Sequence, residues 1–287
     1  MAVDRKDRRT LQRDYVDPGV KAVADANPKL SAEQRGGLGM LDQQHGMIDQ
    51  AWSQLSWDDV SAGAAQRIAT PSMVYQGTGV GGLCGPAAIV NWMAECEPGT
   101  YAYMVATVYE LGGISDKKKC NETLLGTSCQ PGMSPVDWMM MSAMQDLSND
   151  VLSYYGRSSM LPRGGTIDSG TAWILEAFTK VQKTSSLWCK LTGVKERTAI
   201  ASDLLRTYGD KVCVLMDVDS TTLKNENGRG SEDHVVRLLK PITWDDTTID
   251  FEVFSWAQYW KKSFKTENFE HMCDGYLIGV SDASINF

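Results

Sequence analysis

The segment from residue 81 to residue 88 carries the side chain best suited to do chemistry, a cysteine on a glycine-rich turn. It reads Gly-Gly-Leu-Cys-Gly-Pro-Ala-Ala, and the cysteine is Cys84. Proline suits the first position of a helix, where its missing N–H costs nothing, so Pro86 predicts a helix start. The positive end of a buried helix stabilises a thiolate, the form of cysteine that attacks carbonyl carbons. The segment therefore predicts a nucleophile, and the alternative is an ordinary core cysteine beside a turn.

A histidine far downstream is the predicted general base. The chain has three histidines, His45, His234 and His271. The apolar, valine-rich residues 211–219 predict a buried strand, and a polar loop follows up to residue 233. His234 begins a second predicted strand, which gives an imidazole a rigid base beside a loop. The alternative is a surface histidine within that loop.

The cysteine turn and the histidine strand together resemble those of the papain-like cysteine hydrolases, in particular the C39-like branch and its relatives among bacterial toxins. The resemblance covers residues 76–287, and its specific motifs are only that turn and that strand. It implies an α+β fold, in which a helical half carries the nucleophile helix and an antiparallel sheet carries the histidine. It also implies that a glutamine before the cysteine binds the oxyanion, and this chain has Gln76 there.

Two features of the chain depart from the family pattern. Gln76 lies eight residues before Cys84, whereas the common spacing in the family is shorter. The family usually places Asn or Asp just before a Ser-Trp or Pro-Trp pair to orient the histidine, but Phe254 stands there and accepts no hydrogen bond. The remaining candidates for this orienting role are Ser255, Gln258, Asp250 and a main-chain carbonyl. We expect a Cys-His dyad whose ring is held by Ser255 or by a carbonyl.

The chemistry implied by this resemblance is acyl transfer through a thioester. Cys84 would attack a carbonyl carbon, and His234 would take the thiol proton and later deliver it to the leaving amine. The Cys84 N–H and the Gln76 amide would stabilise the oxyanion. The leading hypothesis is an amide hydrolase (a peptidase, peptidoglycan amidase or glutamine deamidase) that acts as a bacterial toxin or secreted effector. Two alternatives stay open: a transglutaminase-like acyl or amine transferase that uses the same pair, and an inactive papain-like binding protein.

The composition limits the classes of partner. The 287 residues carry a formal net charge of −8 and give a pI of about 5.0. This acidity argues against nucleic acid as the main partner, and no apolar run is long enough to span a bilayer. We expect a protein or peptidoglycan substrate, with an immunity protein or a chaperone as further candidate partners. Residues 1–9 are charged and show no signal sequence, so we expect secretion by a route without a classical signal peptide, or a cytoplasmic location.

Seven cysteines occur in the chain. Cys96, Cys189 and Cys213 lie in apolar sequence and are predicted to be buried thiols. Cys120 and Cys129 flank a polar loop and are candidates for a local disulfide in an oxidising compartment. No set of four ligands has the spacing of a zinc site, so neither a metal nor another cofactor is expected.

The predicted helices and strands divide the chain into two regions. Residues 1–70 are predicted to be a helical extension, which packs on the catalytic region or serves as an adaptor, a prodomain or an export region. Residues 71–287 are predicted to form the papain-like catalytic domain. Within it, Ser134 followed by Pro135 predicts a helix start, and a further helix is predicted over 198–208. Helices followed by antiparallel strands are typical of α+β folds.

Overall fold

Helices make up the first part of the fold, and strands make up most of the second. The computed structural model describes residues 17–44, 50–77, 82–149, 169–189, 193–228 and 233–285. Within these ranges every strand pair is antiparallel. The predicted α+β class is therefore confirmed. Across the same ranges, no helix reaches the length and apolarity that crossing a membrane requires.

Helices occupy most of the described residues of the first half. They are α1 (Pro18–Ala26), α2 (Ala32–Gln44), α3 (Trp57–Ala69), α4 (Cys84–Cys96), α5 (Pro98–Leu111), α6 (Glu122–Leu125), α7 (Pro135–Ser148) and α8 (Ser169–Phe178). A small hairpin of β1 (Gly113–Ser115) and β2 (Lys118–Lys119) lies between α5 and α6. Ser134 occupies the N-cap of α7 and Pro135 its first position, as predicted, although the Ser134 side chain makes no capping hydrogen bond.

The second half supplies the main sheet. Its strands are β3 (Lys183–Trp188), β4 (Val212–Asp219), β5 (Asp233–Leu238), β6 (Thr243–Trp244), β7 (Thr248–Ser255), β8 (Gln258–Lys265) and β9 (Cys273–Val280). The accompanying helices are α9 (Val194–Tyr208), α10 (Ser220–Lys224) and α11 (Thr266–Met272). The strand order is β3-β9-β4-β5-β7, and β7 also pairs with β6 and β8. The last strand of the chain therefore lies inside the sheet, between β3 and β4.

The main sheet separates two hydrophobic clusters. Because side chains alternate along a strand, Cys213 and Leu215 of β4 pack with the helical half, whereas Val214 and Met216 pack with α9 and α11. Residues of α1, α2 and α3 belong to the same cluster as α4, the helix that begins at Cys84. Of these three helices, α3 packs directly against α4, the helix that carries the predicted nucleophile.

Helix α4 is the element that joins the helical half to the sheet. Every residue from Gly85 to Ala94 is buried. The helix packs on β5, the strand that carries His234, and also contacts β4 and β7. A helix that is buried on all sides has little freedom to shift, so α4 fixes where Cys84 lies relative to the strands.

Candidate active site

Cys84 is the first residue of α4, so its thiol lies at the N-terminus of a buried helix. The sequence predicted this location, but it placed the helix start at Pro86. The helix already begins two residues earlier, and Pro86 lies in its first turn. A proline in this turn removes no intrahelical hydrogen bond, because the N–H groups of the first turn have no carbonyl partner within the helix.

The thiol of Cys84 is held in its neutral form. Burial raises its pKa, and this effect outweighs the main-chain N–H groups of Val235, Gly85 and Cys84, which act to lower it. The nearby carboxylate of Asp217 raises the pKa further. The sequence predicted a thiolate stabilised by the helix, whereas this pKa shift favours the neutral thiol. The helix N-terminus does act on the sulfur, but enclosure of the sulfur costs the charged form more.

His234 is the second residue of β5, and its side chain is almost fully buried. Its Nε2 lies 2.7 Å from Oγ of Ser255, the last residue of β7. Two other residues proposed to orient the ring, Asp250 and Gln258, are exposed. The structure thus brings Ser255 into hydrogen-bonding contact with the imidazole.

An indole ring covers one face of the imidazole. The ring centroids of His234 and Trp256 lie 4.3 Å apart, and the two planes differ by only 4°. The Nζ atom of Lys224 lies 4.5 Å from the centroid of the Trp256 ring. The stacked indole excludes water from that face of the imidazole and, together with the contact to Ser255, limits rotation of the ring.

The imidazole of His234 is neutral in the resting protein. Burial lowers its pKa to about 4, and the positive charge of Lys224 acts in the same direction. A neutral imidazole has a lone pair that can accept a proton. The pair therefore consists of a neutral thiol and a neutral base, and not of a thiolate and an imidazolium.

The turn that carries Trp256 has an unusual backbone. Trp256 and Ala257 connect β7 to β8 and have φ angles of 46° and 58°. Two-residue hairpin turns with positive φ at both positions favour Asn and Gly, which tolerate the left-handed region. Here a tryptophan and an alanine adopt it, and the tryptophan lies against His234. Backbone strain of this kind persists where the surrounding contacts enforce it.

A narrow cavity brings three of the predicted site residues together. Gln76, Cys84 and Ser255 all line it, and its interior is too tight to hold a water molecule. The other lining residues are mostly apolar, namely Val74, Ala87, Ala88, Val235, Phe254, Trp256 and Ala257. A carbonyl group could enter only if the cavity widened, and it would then lie between Gln76, Cys84 and the serine that contacts His234.

The thiol of Cys84 contacts the main chain of Val235, the residue after His234, and not the His234 ring. Among the described residues no hydrogen bond joins the Cys84 sulfur to the His234 ring. The thiol faces the N–H of Val235, the residue that follows the histidine. The side chain of Val235 packs with the helical half, and the His234 ring is turned towards Ser255 and Trp256. Because side chains alternate along a strand, His234 projects from the face of β5 opposite to Val235 and Cys84, and direct proton transfer requires the start of β5 to rearrange.

A buried arginine fixes the strand of His234 against the helix of Cys84. Arg237 of β5 donates from Nη1 to Oδ1 of Asn91 at 2.7 Å and to Oε2 of Glu95 at 2.6 Å, and both acceptors lie on α4. Asn91 in turn donates to the carbonyl of Pro71 at 2.9 Å. This network links β5, α4 and the segment that leads to Gln76.

A second buried ion pair holds the backbone just before Gln76. Arg67 of α3 donates to both carboxylate oxygens of Asp137 on α7, at 3.1 and 2.6 Å. The same carboxylate accepts the N–H of Tyr75 at 3.1 Å. Two helices that are distant in sequence thus position the residue next to the predicted oxyanion donor.

Sequence reasoning missed three charged residues that shape this site: Asp217, Arg237 and Asp137. A signal was present for the first two, since each interrupts an apolar strand, and charged residues are rarely buried unless they are paired. Asp137 lies in the first turn of a predicted helix, where an acidic residue is ordinary, so its sequence gave no such signal.

The other candidate ligands and thiols among the described residues lie away from the cavity. His45 is outside the described residues, and His271 is exposed on α11. Cys120 and Cys129 are both free thiols, and Cys129 donates to the carbonyls of Gln130 and Met133. In the part of the chain that the structure describes, no cluster of three or more His, Cys, Asp or Glu residues could hold a metal ion.

Comparisons with known proteins give no relative for this chain: no protein-family model, no curated protein and no solved structure matches it.

Proposed function

We propose that the chain is a papain-like cysteine hydrolase, which cleaves an amide through a thioester on Cys84. The observation that carries the proposal is the shared cavity. Gln76, Cys84 and Ser255, selected from sequence for three different roles, line it together, and Ser255 contacts the fourth selected residue, His234. Residues that had no functional relation would have little reason to converge in this way.

The reaction begins from the neutral pair. When Nε2–H of His234 donates to Ser255 Oγ, the other ring nitrogen, Nδ1, keeps its lone pair and accepts the thiol proton of Cys84 once a rearrangement of β5 has brought the two side chains to one face of the sheet. The sulfur then attacks the carbonyl carbon as the proton leaves, and the oxyanion accepts hydrogen bonds from the Cys84 N–H and the Gln76 amide. The imidazolium returns the proton to the leaving amine, which departs and leaves a thioester. Water, activated by the same imidazole, hydrolyses the thioester and restores the thiol.

The substrate class rests on the family resemblance. We expect a peptide bond, a peptidoglycan amide or a glutamine side chain as the amide, and a bacterial toxin or secreted effector as the biological setting. A transferase would use the same thioester and pass the acyl group to an amine. The two outcomes differ in product mass, because hydrolysis adds water whereas transfer adds the amine.

Two observations favour a second candidate, a catalytically inactive binding protein on the same scaffold. The thiol of Cys84 has a raised pKa, and the resting structure has no hydrogen bond between it and His234 within the described residues. A protein that had lost its chemistry would tolerate both features. The two candidates are separated by whether the cysteine can be acylated at all.

The test uses p-nitrophenyl acetate, an activated ester that reports acyl transfer without knowledge of the natural substrate. The proposal predicts release of p-nitrophenolate and an acetyl group on Cys84, detected by intact mass and peptide mapping. Cys84→Ala should abolish both signals, and His234→Gln should slow release by about a hundredfold or more. Cys129→Ala, which removes a half-buried thiol outside the cavity, is the matched control and should react like the wild type. Equal release by wild type and Cys84→Ala would remove the enzyme hypothesis and leave the binding protein.

A further inference from the structure

Two cysteines outside the candidate active site lie close together on the opposite side of the main sheet from α4. Cys189, just after β3, and Cys273, the first residue of β9, have their Sγ atoms 3.8 Å apart. Both residues are only 2% exposed, and 84 positions separate them in sequence. Neither takes part in the proposed reaction. Among the described cysteines, no other pair of sulfur atoms is recorded in contact.

We propose that Cys189 and Cys273 form a disulfide when the protein folds or opens in the presence of a small-molecule disulfide such as oxidised glutathione. A disulfide places its sulfur atoms about 2 Å apart, so the two atoms must approach by a little under 2 Å. Their residues are anchored in neighbouring strands, since β3 pairs with β9 up to Trp188 and Gly275. The cross-link therefore needs a small adjustment and no change of strand register.

The two sulfur atoms differ in reactivity, which assigns their roles in the exchange. The contact with the Cys273 thiol lowers the pKa of Cys189. Burial raises the pKa of Cys273 well above its usual range. Cys189, the thiol with the lower pKa, is thus the one that loses its proton first and attacks one sulfur of oxidised glutathione, which forms a mixed disulfide and releases one molecule of reduced glutathione. Cys273 then loses its proton and attacks the Cys189 sulfur, which releases the second; two protein thiols are oxidised and one glutathione disulfide is reduced.

The position of the pair links it to the strand of the candidate active site. Val218 of β4 lies opposite Cys273 on one side and opposite His234 on the other. The pairing of β4 with β9 is irregular at this point, between Asp217 and Val218. A cross-link at Cys273 would hold β9 at the irregularity, two strands away from the imidazole. The disulfide would thus restrain the end of the sheet at which β5 begins and His234 lies.

The test is refolding of the full chain from denaturant in a mixture of reduced and oxidised glutathione, with a parallel sample in reductant alone. After acid quenching, the thiols are counted in denaturant and the peptides are mapped without reduction. We expect the oxidised sample to lose two of its seven thiols and to yield one linked peptide pair containing Cys189 and Cys273. Because the cross-link closes a long loop, the oxidised protein should melt about 5 °C higher than the reduced protein.

Three variants make the assignment specific. Cys189→Ser and Cys273→Ser should keep all of their remaining thiols and should melt at the same temperature with and without oxidant. Cys129→Ser, the matched control, should still lose two thiols. Should a serine variant fail to fold, the linked peptide of the wild type decides alone. Seven free thiols in the oxidised wild type, or a linked pair of other cysteines, would overturn the proposal.

Discussion

His234 and Ser255 are 21 positions apart in the chain, yet Nε2 of the imidazole and Oγ of the serine lie 2.7 Å apart. Both side chains are buried, so neither group can exchange the contact for water. The adjacent indole of Trp256 closes over the ring. This contact gives the imidazole of His234 a defined orientation.

Ser255→Ala should lower the rate of acetyl transfer to Cys84, because the imidazole loses the group that fixes its orientation and tautomer. We expect a decrease of about tenfold, together with a stability loss of about 1–3 kcal/mol from the unpaired buried nitrogen. Stopped-flow release of p-nitrophenolate and urea unfolding measure the two effects. Ser255→Thr keeps the hydroxyl and is the matched control. A wild-type rate in Ser255→Ala would show that the serine does not orient the base.

Acid should destabilise the protein through His234. Its pKa is about 4 in the folded state and 6.5 in the reference state, so the unfolded chain binds the proton more readily. The stabilisation is present above pH 6.5 and is lost as the pH falls from 6.5 towards 4. The full loss is about 3 kcal/mol. Urea unfolding across this range measures it, and His234→Gln should remove this part of the pH dependence. Parallel curves for the two proteins would contradict the lowered pKa.

Alkylation should reveal the state of the Cys84 thiol. Iodoacetamide reacts with thiolates, and burial raises the pKa of Cys84, so labelling at neutral pH should be slower than that of free cysteine. The rate should rise as the solution becomes alkaline. Peptide mapping assigns the modified residue, and Cys84→Ala provides the blank. Rapid labelling that is constant from mildly acidic to alkaline pH would instead indicate a thiolate–imidazolium pair.

The strands that support the site follow closely from sequence. The predicted strand over 211–219 differs from β4 by one residue at its start, because a continuous valine-rich segment favours a buried strand. β3 and β8 were not predicted. The sequence of β3, Lys-Thr-Ser-Ser-Leu-Trp, and the lysine-rich sequence of β8 have little apolar patterning. Pairing with β9 and β7 makes them strands, and that pairing is a tertiary property.

The residues that form the site were easier to predict from sequence than their protonation states. The cysteine, the histidine and Ser255 could be selected from local motifs. The raised pKa of Cys84 could not, because it depends on enclosure by segments far away in the chain. The short helix α10 at the start of the predicted loop 220–233 was also missed, although the side chain of Asp219 accepts N–H groups of its first turn. The Asp-Ser-Thr-Thr sequence contains that capping signal.

Replacement of Arg237 should disturb both stability and acyl transfer, since this residue ties β5 to α4. Arg237→Met leaves the buried amide oxygen of Asn91 without its donor, and we expect a stability loss of about 2–3 kcal/mol. The acetyl-transfer rate should fall as well, because the strand of His234 is no longer held against the helix of Cys84. Arg237→Lys keeps the charge but lacks the planar fork, so it should restore only part of either property. Normal transfer in a folded Arg237→Met protein would exclude a positioning role.

Ala257→Gly should stabilise the protein. Ala257 has a φ of 58°, a region that costs an alanine but not a glycine. Because the turn then forms without this strain, we expect a gain of about 0.5–1 kcal/mol in the free energy of unfolding. Ala257→Val is a control with the opposite expected effect. A β-branched side chain tolerates positive φ even less, so this variant should destabilise the hairpin. Urea unfolding of the three proteins gives the order directly. If Ala257→Gly were the least stable of them, the positive φ of Ala257 would not be what lowers the free energy of unfolding.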